Sequence, residues 1–347
     1  MSSCYGRQPM PEVTIGYYVH HHGAGHGARA LAIATALNGP VSLIGSRLPE
    51  GPWPAHVSAL ELPADTCDGM QAERFDVLHY APLAVPGLRQ RMARLAQWFD
   101  QHWPCLLVVD VSVEVALLAR LCSVPTVYMR QHGERGDAAH CLAYATARGL
   151  LAPYPKAMAL AEDPWRGKTL YSGWLSRYNG RAMATVQPYR VLVICGHGGT
   201  GLNAALLEAV ARVCPQWHFE VAGALAPGRP AANLHWLGVQ ADPAAAMQRA
   251  EVVVGSASDS LVSEAAALGC RYIAVAEARP FDEQRWQARR LAQLGVALGL
   301  EGGWPAPEQW PALLAEARLL QPQRWRAWAD EHAAARAAHA LQRWSAA

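Results

Sequence analysis

Three stretches of this 347-residue chain hold residue types able to do chemistry. The first is His20-His21-His22-Gly23-Ala24-Gly25-His26-Gly27-Ala28-Arg29. An imidazole near its ordinary pKa can take a proton from a hydroxyl at neutral pH, so His26, at the mouth of the loop, is a candidate general base. The second is Gly196-His197-Gly198-Gly199-Thr200-Gly201. Glycines at a helix start leave backbone N–H groups and the positive end of the helix dipole open to a diphosphate. No Gly-Lys-Ser/Thr closes this loop, which excludes a P-loop. The third runs from Glu251 to Arg290 and sets two polar segments in sequence, Ser256-Ala257-Ser258-Asp259-Ser260 with Glu264, then Asp282-Glu283-Gln284.

Two other chemistries compete for the first loop. Gly23-x-Gly25-x-x-Ala28 fits a dinucleotide fingerprint, which wants an acidic residue at the end of the second strand to hold a ribose. That strand ends Gly45-Ser46-Arg47, and Glu50 lies beyond it beside Gly51-Pro52. For a metal, only His20 and His22 of the consecutive histidines could share a face, and no Cys or carboxylate in the loop completes a set. No metal and no resident cofactor are expected.

Each loop needs a strand to end on and a helix to begin. Val13 to Val19 reads as the first strand, then a helix to Leu37 and a second strand at Val41–Ile44, one βαβ unit. Cys105–Val109 is an apolar run with Asp110 at its carboxyl end, where Asp110 would cap the next helix or meet an acceptor. Pro125–Met129 ends in Arg130-Gln131-His132, and Arg130 and His132 are candidates for holding an acceptor hydroxyl or a phosphate. Arg29 reads as structural, bonding loop carbonyls, and Arg89, Arg91 and Arg94 as a solvated helix face. Arg190–Cys195 restarts the pattern, followed by strands at Trp217–Gly223, Asn233–Val239, Val252–Val254 and Ile273–Val275. Short β-branched runs without polar alternation are what parallel strands buried on both faces look like.

The length suits two domains of about 150–200 residues each. A net charge of +2, from 30 basic and 28 acidic residues, argues against a dedicated nucleic-acid binder. The eight Cys form no C-x-x-C pair, and with no charged-then-apolar leader pattern at the start a reduced, cytoplasmic setting is expected. No apolar run is long enough to span a bilayer. The terminal stretch Arg324–Trp344, read as one Ala-rich helix with Trp325, Trp328 and Trp344, is also compatible with peripheral contact with a membrane surface.

Taken together, G-x-G-H-x-x-R after a first strand, S-E-A-x-x-x-G after a small-residue turn, and P-x-D-E-Q after the next strand resemble GT-B glycosyltransferases of the peptidoglycan GlcNAc-transferase type. The first loop also resembles that of nucleotide-sugar hydrolases. The resemblance implies an α/β fold of two doubly wound, Rossmann-like domains facing across a cleft. It divides the chain into an acceptor domain (1–174), a linker (175–188), a nucleotide-sugar domain (189–322) and a terminal helix (323–347) crossing back to the first domain. It implies transfer of a sugar from a nucleotide diphosphate, UDP-linked, to an acceptor hydroxyl or amine of unknown identity, with His26 as base and no metal. Gly198, Gly199, Thr200, Ser258 and Ser260 would meet the diphosphate, and Val239 and Glu264 the base and ribose. Asp259, Glu283 and Gln284 would hold the sugar. Asp259 departs from the family pattern, because a carboxylate beside a diphosphate is repulsive unless it points at sugar hydroxyls. A hydrolase or epimerase of the same fold, a non-catalytic nucleotide-sugar binding or activator subunit, and a dinucleotide oxidoreductase stay open at this point.

Overall fold

The computed structural model describes residues 12–21, 24–68, 70, 75–182, 184–196 and 198–346. His22, Gly23 and His197, singled out above, lie outside the described residues.

The first domain alternates strands and helices: β1 (Thr14–Tyr18), α1 (Ala24–Ala36), β2 (Val41–Gly45), β3 (Val57–Glu61), α2 (Pro86–Gln101), β4 (Cys105–Val109), α3 (Val113–Leu121), β5 (Thr126–Met129), α4 (Ala138–Thr146), β6 (Gly149–Ala152) and β7 (Thr169–Tyr171). The second follows with β8 (Gln187–Cys195), α5 (Ala204–Val213), β9 (His218–Gly223), β10 (Leu234–Gly238), α6 (Ala244–Arg249), β11 (Ala250–Ser256), α7 (Asp259–Leu268), β12 (Tyr272–Val275), α8 (Glu283–Leu294), β13 (Ala297–Leu300) and α9 (Trp310–Leu319). A last helix, α10, spans Ala333–Ala346.

The strands form two parallel sheets, ordered β3-β2-β1-β4-β5-β6-β7 and β10-β9-β8-β11-β12-β13. The chain winds outward in one direction and then the other, so each sheet has a switch point, between β1 and β4 and between β8 and β11. Loops leaving the carboxyl ends of those adjacent strands splay apart and leave a crevice for a ligand. The α/β fold of two facing, doubly wound domains expected above is therefore present.

Apolar side chains cover both faces of each sheet. Trp98, Trp174, Trp217, Trp310 and Trp325 are buried in these cores. The region after α9 differs from its reading as one helix. A 3-10 turn at Pro322–Ala327 precedes α10, and Ala333, Ala337, Ala338 and Leu341 of α10 join the core of the first domain. The return is bonded to the end of the first domain and to the linker: Arg336 Nε donates to Ser172 O at 2.9 Å and Asn179 Nδ2 to Asp330 O at 2.8 Å. No described helix is long and apolar enough to cross a membrane.

Arg91 corrects the reading of the α2 arginines as a solvated face. It is 1% exposed and donates to Tyr18 Oη and Asp65 Oδ2, both at 2.7 Å, and to Ser46 Oγ at 3.0 Å. A buried guanidinium needs such partners, and here they tie α2 to the loops at the end of β2 and β3.

Candidate active site

The first switch point holds a histidine and a carboxylate 84 residues apart in sequence. His26 lies in the first turn of α1, and its Nδ1 is 2.7 Å from Oδ2 of Asp110, which follows β4. Arg29, one turn further along α1, places Nη2 at 3.0 and 2.9 Å from the two Asp110 oxygens. Asp110 is fully buried, which alone would raise its pKa, but Arg29 and His26 beside it hold the carboxyl well below the usual range. Arg29 Nη2, a donor only, also lies 3.0 Å from His26 Nδ1, but the 2.7 Å contact with an ionised carboxylate is the shorter and is the one that sets the tautomer, with the proton on Nδ1 and Nε2 left to accept. This pattern overturns two expectations. Ser112, not Asp110, caps α3, accepting from Val115 N, and Arg29 bonds a carboxylate rather than loop carbonyls. Val111, between them, has φ 75°, a conformation a β-branched residue rarely adopts, and Tyr128 Oη donates to its carbonyl.

The start of α7 faces this dyad from the second domain. Gly25 approaches it so closely that a Cβ there would stand 2.7 Å from Ser260 Cβ, so only glycine fits. Ser258 is the N-cap residue but makes no side-chain cap; its Oγ is 3.1 Å from Ser256 Oγ. Asp259 reaches across the cleft, with Oδ2 3.6 Å from Arg29 Nη1 and Oδ1 3.6 Å from His132 Nε2.

The loop after β8 lies at the second switch point and is pinned by two residues the sequence did not single out. Arg279 Nη2 donates to the carbonyls of Gly198 and Gly199 at 2.8 and 2.7 Å. Glu277 accepts from Thr200 Oγ1, from Gly201 N at 3.0 Å and from Trp304 Nε1 at 2.7 Å. A carboxylate fixing a glycine loop in one conformation removes much of the ordering cost a bound ligand would otherwise bear.

The remaining candidates are placed as follows. Glu264 accepts from Arg177 Nε at 3.0 Å, and burial raises its pKa despite that cation. Val239, just past β10, is 60% exposed. Gln284 is buried and turned inward, its Oε1 accepting from Glu277 N at 3.0 Å. Glu283 pairs with Arg135 Nη2 at 2.9 Å; burial first, then neighbouring Asp259, pushes its pKa up. Arg130 is engaged by Asp163 at 3.0 Å and lies 4.7 Å over the Tyr144 ring. His132 is buried with its ring 4.1 Å from that of Tyr154, and burial lowers its pKa.

A second interdomain contact was not legible in the sequence. Phe281 and Asp282, both at positive φ (61° and 53°), turn the β12–α8 loop into the first domain. Glu134 N donates to Phe281 O at 2.8 Å, the Arg135 guanidinium sits 4.7 Å over the Phe281 ring, and the rings of His79 and His140 flank it at 5.3 and 4.9 Å. Among the described residues, His79, Asp137 and His140 form one group with metal-ligand types close together. Arg135 Nη1 lies 3.1 Å from His140 Nε2, which puts the ring proton on Nδ1, 2.5 Å from Asp137 Oδ2. His79 Nε2 lies 2.8 Å from Asp137 Oδ1, so the three side chains form one hydrogen-bonded network beside Phe281.

Two parallel-sheet Rossmann-like domains, facing sites at their switch points and a terminal helix returning to the first domain define the GT-B class of fold. Solved structures with this fold cover nearly the whole chain. They include the glycotransferase of kitacinnamycin (14% identity, TM-score 0.69, 97% of this chain and 100% of that one). MurG of Acinetobacter baumannii is 17% identical, with TM-score 0.64 over 96% of this chain and 100% of that one. A UDP-glucosyltransferase from Polygonum tinctorium is 14% identical, with TM-score 0.70 over 97% and 99%. In sequence, the chain is 33% identical over 204 residues to the UDP-N-acetylglucosamine--N-acetylmuramyl-(pentapeptide) pyrophosphoryl-undecaprenol N-acetylglucosamine transferase of Serratia proteamaculans (strain 568). That match spans 55% of this chain and 56% of the relative, so the chain covers about half the length of the curated relative it matches. No family model matches the chain.

Proposed function

We propose that the chain is a glycosyltransferase that moves a sugar from a nucleotide diphosphate to an acceptor hydroxyl or amine. The observation that carries the reading is the His26–Asp110 pair, 2.7 Å apart at the switch point of one domain and facing the start of α7 on the other. Its Nδ1 proton held by a buried carboxylate, His26 Nε2 accepts the acceptor proton as the acceptor oxygen or nitrogen bonds to the anomeric carbon. The bond from that carbon to the diphosphate oxygen breaks at the same time. The departing charge falls on the first-turn N–H groups of α7, the hydroxyls of Ser258 and Ser260, and the Gly198–Thr200 loop, which are fixed donors needing no reorganisation. Arg29 keeps Asp110 ionised and so is a positioning residue. Glu264 takes the ribose hydroxyls, with its Arg177 contact exchanged for them, the backbone at Val239 takes the base, and Glu283 faces the sugar.

A uridine diphosphate donor is supported by the relatives whose names print one, a UDP-N-acetylglucosamine transferase and a UDP-glucosyltransferase. The test is a panel of UDP-, GDP- and TDP-sugars screened by melting temperature, followed by assay of nucleotide release with and without candidate acceptors. A binding donor raises the melting temperature. His26→Ala should keep that shift and lose turnover by about 10²–10⁴-fold. If no nucleotide sugar shifts the wild-type protein, the reading fails; equal release of free sugar with and without acceptors would replace transfer by hydrolysis.

A further inference from the structure

Asp259 is the residue that suits a diphosphate site least, and its surroundings explain its presence. It opens α7, whose N-cap residue Ser258 offers no side-chain acceptor, yet its own carboxylate is not turned back onto the helix N–H groups. It extends across the cleft to stand 3.6 Å from both Arg29 Nη1 and His132 Nε2. At that distance neither contact is a hydrogen bond: the one to Arg29 is charge attraction, and the one to the neutral His132 ring is an approach without a bond. On the first-domain side three polar atoms are buried with no partner: Arg29 Nε, Gln131 Oε1 and His132 Nε2, on side chains of residues 7, 6 and 6% exposed. Buried polar atoms are nearly always paired; of these three, Arg29 Nε and His132 Nε2 can donate to an anion, whereas the Gln131 oxygen only accepts. Glu283, a second carboxylate, is close enough to Asp259 for its own ionisation to be opposed. Asp259 therefore sits between the Arg29 cation, which attracts it, and an acid that repels it, with the buried, neutral His132 ring beside it.

We infer that Arg29 and His132 form an anion seat on the first domain, that Asp259 fills it only while no donor is bound, and that a phosphate group displaces the carboxylate. This rests on the functional reading above and adds to it a gate: Asp259 competes with the diphosphate instead of holding the sugar. A phosphate carries more charge than a carboxylate and has oxygens pointing in several directions, so it can bond Arg29 and His132 while also meeting the α7 N–H groups. Gly25 packed on Ser260 means the same seat is covered by the closed domains, and loss of the Asp259 contact would free them to part.

The experiment is calorimetric titration of inorganic pyrophosphate and of UDP into the full chain and into Asp259→Asn, Asp259→Ser and His132→Gln, each first checked for a cooperative melt. Removing one like charge beside the ligand should tighten both ligands by roughly tenfold in the Asp259 variants. His132→Gln should weaken pyrophosphate by several-fold, on the order of 3–10-fold. Unchanged or weaker pyrophosphate binding in both Asp259 variants overturns the gate. A UDP-sugar from the donor screen is titrated alongside; if it binds the Asp259 variants more weakly while UDP is unchanged, Asp259 is a sugar ligand and the gate is equally overturned. If no folded protein in the set binds any diphosphate, the glycosyltransferase reading falls and the gate with it.

Discussion

In the interdomain cleft the Asp259 carboxylate stands 3.6 Å from Arg29, and the neighbouring Glu283 carboxylate stands 2.9 Å from Arg135. The acids are alike in exposure, 31% and 35%, and both arginines are buried. What differs is everything around them. Arg29 is already committed to Asp110, while Arg135 is stacked on Phe281, whose backbone bonds Glu134 and whose ring is flanked by His79 and His140. An ion pair alone at a wet boundary contributes little. One embedded in ring packing and a main-chain bond holds its geometry. The pair at Phe281 is thus a clasp that fixes the closed arrangement, whereas the pair at Asp259 is a contact the ligand can replace.

The most damaging way to probe the difference is from below. Asp110→Asn leaves Arg29 buried without its counter-charge, which should cost about 3–5 kcal/mol in denaturant unfolding. Were Asp259 a lasting partner, it would take over Arg29 and the loss would stay under about 1 kcal/mol. Next comes the clasp itself. Gly133 has φ 94°, and a Cβ there would stand 2.2 Å from Phe281 O. Gly133→Ala should lower stability by about 1–3 kcal/mol and increase the radius of gyration by small-angle scattering; an unchanged radius would mean the domains stay shut without the clasp. A pair of double-mutant cycles compares the contacts directly. Arg135/Glu283 should show a coupling of about 1–2 kcal/mol, and Arg29/Asp259 less than about 0.5 kcal/mol; equal couplings would erase the distinction.

The smallest effect is on pH. Burial lowers the pKa of His140 from 6.5 to about 4. The unfolded chain therefore binds the proton that the folded one refuses between those values. Stability from the neutral ring is full above about 6.5 and is lost as pH falls from there toward 4. Protonating Nε2 would also break its contact with Arg135 Nη1, loosening the clasp. Melting temperature should fall across that window in the wild type and fall less steeply in His140→Asn.

Much of this was legible from residue patterns, and what was not has a common cause. The strands read out because Cys105–Val109 and Val252–Val254 are apolar without alternation, and the ligand-facing loops because glycines follow them. His26 was found by its chemistry. Asp110 was misassigned because an acid after a strand is equally what a helix cap looks like, and Ser112, two positions later, is the residue that caps α3. The signal that could have found its role is topological: β1 and β4 pair in the sheet, so the ends of both strands must meet at one crevice. Arg91 was misread because spacing along a helix does not reveal Asp65, 26 residues earlier. Arg135, Phe281, Glu277 and Arg279 act through partners on separate loops, and local spacing carries no information about such contacts.

The return of α10 to the first domain has a consequence for how the molecule is made. The core around β1 and α1 includes Ala333, Ala337 and Leu341, residues that leave the ribosome only after the whole second domain. At about 5–20 residues per second, the first domain waits on the order of ten to thirty seconds with one apolar face uncovered. The second domain, whose strands and helices are contiguous, can complete its own sheet during that interval. Vectorial synthesis therefore reverses the expected order of maturation, and the nascent first domain is the part of this protein most exposed to chaperones and to aggregation.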